Sequence, residues 1–160
     1  MFDLDETIVA IASPPGGAAR GMVRVSGPNL RAIIEGLFSA DVPCACEEIC
    51  LPTAIAGHLT LRGVFSPLPC RLHLWPSSRS YTRQPTAELH TLGSPPLLQA
   101  VVDEVCQAGA RPARPGEFTL RAFLAGRLDL TQAEAVLGVI DARGPQQLAA
   151  ALAQLAGGLA

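Results

Sequence analysis

Residues 7–38 read TIVAIASPPGGAARGMVRVSGPNLRAIIEGLF, and this stretch decides the class of fold. Its β-branched start, residues 7–12, is ended by two prolines and predicts a short buried strand. A loop over residues 14–21 leads to a second predicted strand over residues 22–26. Alternation along that strand places Arg24 on one face and the two valines on the other.

The end of the same stretch predicts a helix that begins at Pro28. Apolar residues recur there at the helical period: Leu30, Ile33, Ile34, Leu37 and Phe38. A stripe of this kind lies along one side of a helix and faces a core. Strands and a helix within such a short segment indicate a mixed α+β fold.

The middle of the chain continues to mix strands and helices. Strand patterns occupy residues 55–61, 70–75 and 86–90. A second helix is predicted to begin at Pro95 and to end near Gly109. These elements predict a sheet with helices packed against it.

Beyond residue 118 the pattern predicts helices alone. The first, residues 118–124, is stopped by Gly126. The next is predicted from the spacing of Thr131 and Glu134, which is that of a capping box. An alanine-rich helix follows the break at Pro145. This change of character predicts that a helical domain begins in the last third of the chain.

The composition is typical of a folded domain. Hydrophobic residues make up 49% of the 160 residues and charged residues 16%, which argues against disorder. Because the formal net charge is -2, nucleic-acid binding would need a local basic patch. The acidic N-terminus lacks the order of a signal peptide, and no apolar run is long enough to span a bilayer. We therefore expect a cytoplasmic protein without membrane contact.

The reactive side chains give no clear sign of a metal site. An odd total of five cysteines favours reduced thiols over a disulfide framework. Three of them are close in sequence: Cys44, Cys46 and Cys50. This cluster could hold zinc or act in redox chemistry, although free thiols are the better interpretation. The histidines are isolated in the sequence: His58, His73 and His90. We therefore predict no metal ligand and no catalytic residue.

Residues 113–135 read ARPGEFTLRAFLAGRLDLTQAEA and closely resemble the signature of the MnmE (TrmE) family of tRNA-modifying GTPases. That signature runs Arg-Pro-Gly-Glu-Phe, then Arg-Ala-Phe-Leu-Asn-Gly-Lys-Leu-Asp-Leu, then Gln-Ala-Glu-Ala. Residues 7–27 resemble the opening block of the family, and residues 80–82 and 88–90 resemble its Ser-Tyr-Thr and Glu-Leu-His motifs. Residues 39–75 match poorly. The chain is thus similar to the N-terminal part of this family.

The resemblance implies a specific fold and domain division. Residues 1–118 would form the folate-binding and dimerisation domain, with a mixed sheet similar to the tetrahydrofolate-binding fold of glycine-cleavage aminomethyltransferases. Residues 119–160 would begin the helical domain, the boundary lying near residues 115–130. The chain contains no Gly-x-x-x-x-Gly-Lys-Ser/Thr phosphate loop, so we expect the GTPase domain to be absent from it.

The resemblance also implies ligands and partners. It implies a homodimer that binds 5-formyl-tetrahydrofolate or a related one-carbon carrier. It further implies action on the wobble uridine of certain tRNAs, through the 5-carboxymethylaminomethyl modification, with a flavin- and NADH-dependent MnmG-type partner. GTP, potassium and magnesium would be needed only by a GTPase domain. Whether this chain is itself an enzyme is left open by its sequence.

Three residues match positions at which the family binds folate: Arg24, Glu88 and Arg127. A carboxylate such as that of Glu88 can accept hydrogen bonds from the ring N–H and the exocyclic amine of a pterin. Arginines suit the anionic tail and formyl oxygen of the carrier. Arg127 stands where the family has lysine. Without the resemblance, Glu88 and Arg24 read as solvated strand residues, whereas Glu117 and Arg121 read as a structural pair within one helix.

Two short segments depart from the family pattern. Residues 83–85 replace Gly-Glu-Asp, and residues 91–94 replace a glycine-rich turn, Gly-His-Gly-Gly. These changes could reshape the mouth of a folate pocket. A ligand-free module for dimerisation or protein interaction is therefore the main alternative. A folate-dependent aminomethyl transferase is a third, less supported hypothesis because no acid or base for catalysis can be identified.

Overall fold

The computed structural model describes residues 4–42, 49–64 and 67–156 of the chain. The chain divides into two units. The first comprises Met1–Ser80 and Gln84–Arg114, and the second comprises Tyr81–Arg83 and Pro115–Ala160. The first unit contains the sheet and two helices, whereas the second contains the remaining helices.

One mixed sheet organises the first unit. Within the described residues it has seven strands: β1 (Ile8–Ile11), β2 (Ala18–Ser26), β3 (Phe38–Ala40), β4 (Thr53–Leu59), β5 (Leu68–Trp75), β6 (Thr86–Gly93) and β7 (Arg111–Pro112). Their order across the sheet is β3-β4-β5-β6-β2-β1-β7. Neighbouring strands are antiparallel except for β1 and β7, which are parallel. The sheet is therefore mixed, as the family resemblance implies.

The two faces of the sheet differ sharply in polarity. Side chains that alternate along the central strands form one buried apolar face: Val23, Val25, Leu72, Leu74, Ala87 and Leu89. The intervening positions belong to the opposite face, which carries Arg24, His73, Glu88 and His90. Alternation along each strand thus separates a core face from a polar face.

Two helices cover the apolar face: α1 (Leu30–Leu37) and α2 (Pro95–Gln107). Four residues of the stripe predicted in α1 are buried, at 1–4% exposure: Leu30, Ile33, Ile34 and Leu37. The fifth, Phe38, is also buried but begins β3. Gly109 follows the end of α2 with a φ of 108°, a conformation that glycine adopts without steric cost. Both helix predictions are confirmed.

Several strand boundaries differ from the predictions. Strand β2 begins at Ala18, inside the predicted loop, and its register shifts between Ala18 and Gly21. Strand β6 extends to Gly93, beyond the predicted end at His90. Strands β3 and β7 have three and two residues and were not predicted. Such short strands exist through pairing with distant neighbours and leave no local periodic pattern.

The second unit contains three helices within the described residues: α3 (Glu117–Leu124), α4 (Leu130–Asp141) and α5 (Pro145–Leu155). The predicted capping box at Thr131 is wrong. Asp129 is the N-cap of α4; its side chain accepts a hydrogen bond from the Gln132 amide, and the Gln132 side chain accepts one from the Asp129 amide. The capping box therefore begins two residues earlier than predicted, with aspartate and glutamine in place of threonine and glutamate.

The predicted structural pair in α3 is confirmed. Arg121 Nη2 lies 3.1 Å from Glu117 Oε1, and both side chains are almost completely buried. The predicted α+β class is also confirmed, whereas the likeness to a folate-binding fold and the boundary after residue 118 stay predictions. Among the helices in the described ranges, none combines the length and apolar character needed to cross a bilayer.

Candidate functional site

The polar face of the sheet joins Arg24 to Glu88. The two residues occupy opposite positions on the antiparallel strands β2 and β6. Arg24 donates from Nε and Nη2 to the same carboxylate oxygen, Glu88 Oε1, at 3.0 and 2.8 Å. Their side chains are 29% and 16% exposed. The strand register therefore brings together two of the three predicted folate-binding residues in a partly buried ion pair.

Two histidines extend this pair across the face. His73 lies opposite Glu88 on β5, and His90 lies two residues beyond Glu88 on β6. His90 Nε2 is 3.2 Å from Glu88 Oε2, and the rings of His73 and His90 have centroids 4.5 Å apart. The prediction of isolated histidines is therefore wrong for these two. The cross-strand register that joins them is not written in the local sequence.

The charge of His73 is affected by its surroundings. The pKa of its imidazole is lowered from the ordinary value, first by burial and then by the nearby His90. Arg71 lowers this pKa further, whereas Glu88 opposes the shift. The net effect favours the neutral imidazole, which keeps a nitrogen lone pair available at neutral pH.

A cavity of about 680 Å³ opens beside the cluster. His73 and His90 lie on its wall, together with Arg20 and Arg71. At another part of the wall, His58 Nδ1 is 2.9 Å from Asp41 Oδ1. The cavity thus combines a concave surface with cationic and imidazole groups, a setting suited to an anionic organic ligand.

The third predicted residue, Arg127, belongs to the second unit. It is exposed and follows α3, where its amide donates to the carbonyl of Ala122 at 2.9 Å. Gly126 precedes it with a φ of 68°, which ends the helix in the left-handed conformation. The structure thus pairs Arg24 with Glu88, and the participation of Arg127 in the same site stays a prediction.

The two segments that depart from the family have different structures. Arg83, at the position of the family's glycine, has a φ of 61°. The second segment is not a turn, because residues 91–93 are the last part of β6. Thr91 Oγ1 donates to the carbonyl of Pro69 at 2.7 Å. A Cβ on Gly93 would lie 2.6 Å from the Ala18 carbonyl oxygen, so this position retains the one residue type that fits.

The structure describes some of the cysteines that we expect to be reduced thiols. Cys44 and Cys46 lie outside the described residues. Cys50 is exposed, Cys70 is buried, and neither forms a disulfide. Burial raises the pKa of the Cys70 thiol to about 12, so this thiol is protonated at neutral pH. These observations agree with the expectation of reduced thiols at both positions.

Comparison with known proteins identifies the family. The family model of the GTP-binding protein TrmE N-terminus matches residues 7–127. The tRNA modification GTPase MnmE of Rhodopirellula baltica is 50% identical over 157 residues, covering 98% of this chain and 33% of that protein. The MnmE proteins of Opitutus terrae and Roseiflexus castenholzii are 42% and 41% identical, covering 99% and 97% of this chain. The chain spans about one third of the length of these relatives. It therefore belongs to the TrmE N-terminus family, as the N-terminal domain of MnmE.

Proposed function

We propose that this chain is a folate-binding and dimerising module of a tRNA modification GTPase. The observation that carries the proposal is the Arg24–Glu88 pair on the polar face of the sheet, beside a cavity of about 680 Å³. The ligand is 5-formyl-tetrahydrofolate or a related one-carbon carrier. Family membership supports this function, and the pair supplies an oriented carboxylate where a pterin can be recognised.

Recognition of the pterin requires Glu88 to change partners. A carboxylate can accept hydrogen bonds at about four lone-pair positions, and Arg24 donates two hydrogen bonds to Oε1. His90 contacts Oε2. The ring N–H and exocyclic amine of a pterin would replace the His90 contact and one Arg24 contact. The guanidinium would then be available to the formyl oxygen, and Arg127 would bind the anionic glutamyl tail.

We infer a wider role, which family membership supports. The module forms a homodimer and acts in the cytoplasm within the complete GTPase. That assembly, with a flavin- and NADH-dependent MnmG-type partner, installs the 5-carboxymethylaminomethyl group on wobble uridine, and tRNA contacts the full complex. GTP, potassium and magnesium would be bound by the GTPase domain. The relatives' name, tRNA modification GTPase MnmE, supports this assignment.

Calorimetric titration with 5-formyl-tetrahydrofolate, in buffer that contains EDTA, tests the proposal. We expect saturable heat for the natural sequence and affinity lower by about tenfold or more for Arg24→Ala and Glu88→Gln, because each removes a charged hydrogen-bonding group. Arg127→Ala should weaken binding as well. Arg31→Ala is the matched control, because Arg31 is exposed on α1, the helix that covers the other face of the sheet. Absence of heat at millimolar ligand would overturn folate binding.

A ligand-free dimerisation module remains the second candidate function. The specific observation in its favour is the altered segment around Thr91 and Leu92, whose residues lie on the cavity wall and replace glycine-rich sequence of the family. Light scattering during size-exclusion chromatography measures the dimer separately from ligand binding. A dimer without folate heat would favour this candidate, whereas a monomer that binds folate would remove dimerisation from the proposal.

A further inference from the structure

His73, Glu88 and His90 form a compact group of metal-binding donors on the polar face of the sheet. One ligand atom from each residue can be chosen so that all three lie within 4.8 Å of one another. We propose that these three side chains bind one divalent transition-metal ion. We choose zinc as the ion to test, because two imidazoles and a carboxylate are a donor set that zinc uses in three-residue sites with an open fourth position.

The sheet supplies the geometry of this site. His73 and Glu88 are directly opposite on β5 and β6, and His90 is two residues along β6 from Glu88. Residues with this spacing point to the same face of a strand, and directly opposite residues have neighbouring side chains. The backbones that carry the ligands are therefore fixed by ladder hydrogen bonds, and the ion needs only side-chain rotations to complete its coordination.

The distances are close to those of a zinc site. With zinc–ligand bonds of about 2.0–2.1 Å, tetrahedral donors lie about 3.4 Å apart. Glu88 Oε2 and His90 Nε2 are already 3.2 Å apart. The separations involving His73 are at most 4.8 Å. We expect rotation of the His73 side chain to shorten them when the ion binds.

Arg24 provides the outer support that metal-binding carboxylates commonly have. Its two hydrogen bonds hold Glu88 Oε1, so that Oε2 is directed toward His90. His73 and His90 also lie on the cavity wall, which gives the ion an entrance and leaves room for a water or ligand atom at the fourth position. Because Arg24 partly neutralises the carboxylate, we expect weaker affinity than in a closed structural zinc site.

The metal proposal goes beyond folate binding and does not depend on it. It uses His73, which the folate proposal does not require, and its test contains no folate. The experiment starts from tag-free, metal-stripped protein carrying Cys44→Ser, Cys46→Ser and Cys50→Ser, which removes the clustered thiols; metal binding by the remaining Cys70 or Cys106 would be seen in the cobalt spectrum. Zinc is titrated calorimetrically, and cobalt is titrated while its visible absorption is recorded.

The expected result is one ion per chain without the near-ultraviolet charge-transfer band of thiolate–cobalt bonds. His73→Leu and His90→Leu should each lower zinc affinity by about tenfold or more, since loss of a direct ligand costs at least as much as loss of an outer-shell partner. His58→Leu is the matched control, because His58 contacts Asp41 and stands outside the donor group. Equal affinities in all three variants would overturn the proposal.

Ring resonances of the histidines provide a readout that does not depend on the variants folding. Two-dimensional NMR of the cysteine-substituted protein records the imidazole signals. Zinc should change the chemical shifts of the His73 and His90 signals and slow the exchange of their ring protons. The His58 signals should stay unchanged. Unchanged signals for His73 and His90 at saturating zinc would also overturn the site. Failure here leaves the folate titration unaffected, since that titration is performed in EDTA.

Discussion

Arg24 and Glu88 face each other across strands β2 and β6, and the guanidinium donates two hydrogen bonds to one carboxylate oxygen. The other oxygen contacts His90. Glu88 is consequently the residue at which the two proposals meet. A pterin would compete for both oxygens, whereas a metal ion would use the oxygen that faces the histidines. Folate and metal should therefore affect each other's binding if both are present.

The Arg24–Glu88 pair should contribute measurably to stability. A double-mutant cycle with Arg24→Met and Glu88→Gln should give a coupling energy of about 1 kcal/mol in urea unfolding, because the pair is charge-assisted and partly buried. The Arg62–Glu104 pair is the comparison, because the Arg62 side chain is 77% exposed. Its cycle should give about 0.3 kcal/mol. Equal coupling energies would contradict the importance assigned to burial.

The sequence allowed the central elements to be predicted because their signals are local. The stripe in α1 and the strand pattern over residues 70–75 depend on neighbours a few residues away, and the structure confirms both, the second as β5. Strand β7 could not be predicted in this way. It forms because the amides of Arg111 and Ala113 donate to the carbonyls of Thr7 and Val9, which are about a hundred residues away in the chain.

The candidate site also depends on strand pairing that no local sequence pattern predicts. Family resemblance selected Arg24 and Glu88, and their pairing rests on the register between β2 and β6, which the sequence does not encode in any local pattern. His73 reads as isolated in the sequence, because nothing there pairs it with a nucleophile. Its proximity to Glu88 arises from the pairing of β5 with β6. Cross-strand register is therefore the information that sequence reasoning lacked here.

Cys70 should make the protein less stable at alkaline pH. Its pKa is raised from 9.0 to about 12 by burial, so the folded state retains a proton that the unfolded chain releases. The stabilisation is complete below about pH 9 and is lost as pH rises toward 12. We expect the free energy of unfolding to fall by about 1 kcal/mol more between pH 8 and 10 than it does in Cys70→Ala.

Urea unfolding in reducing buffer at both pH values checks this prediction. The comparison with Cys70→Ala removes the contributions of the other alkaline groups. Thiol labelling gives an independent measurement: Cys70 should react only on unfolding, whereas the exposed Cys50 should react in the native protein. Identical pH dependence in the two proteins would show that the Cys70 thiol titrates in its ordinary range.

Replacement of Arg83 by glycine should stabilise the protein. Arg83 is exposed and has a φ of 61°, a left-handed conformation that costs a residue with a Cβ about 1–2 kcal/mol. Glycine removes this cost but loses about 0.5–1 kcal/mol through the entropy of the unfolded chain. The net gain in the free energy of unfolding should be about 0.5–1 kcal/mol. Arg79→Gly, at an exposed loop position without positive φ, should instead destabilise. A loss of stability in Arg83→Gly would contradict the argument.

Gly57→Ala should destabilise the protein, whereas Gly36→Ala should stabilise it. A Cβ on Gly57 would collide with the carbonyl oxygen of Ser39 on the neighbouring strand and would lie 2.5 Å from Phe38 Cζ. Because one of these atoms belongs to the backbone, relief of the clash requires a shift of β3 against β4. We therefore expect Gly57→Ala to lower the free energy of unfolding by about 2 kcal/mol.

Gly36 lies within α1, where nothing is within 4 Å of an added Cβ. Gly36→Ala should therefore add about 0.5–1 kcal/mol through helix propensity. Urea unfolding of both variants measures the difference, and a neutral Gly57→Ala would mean that β3 does not pair with β4 as described.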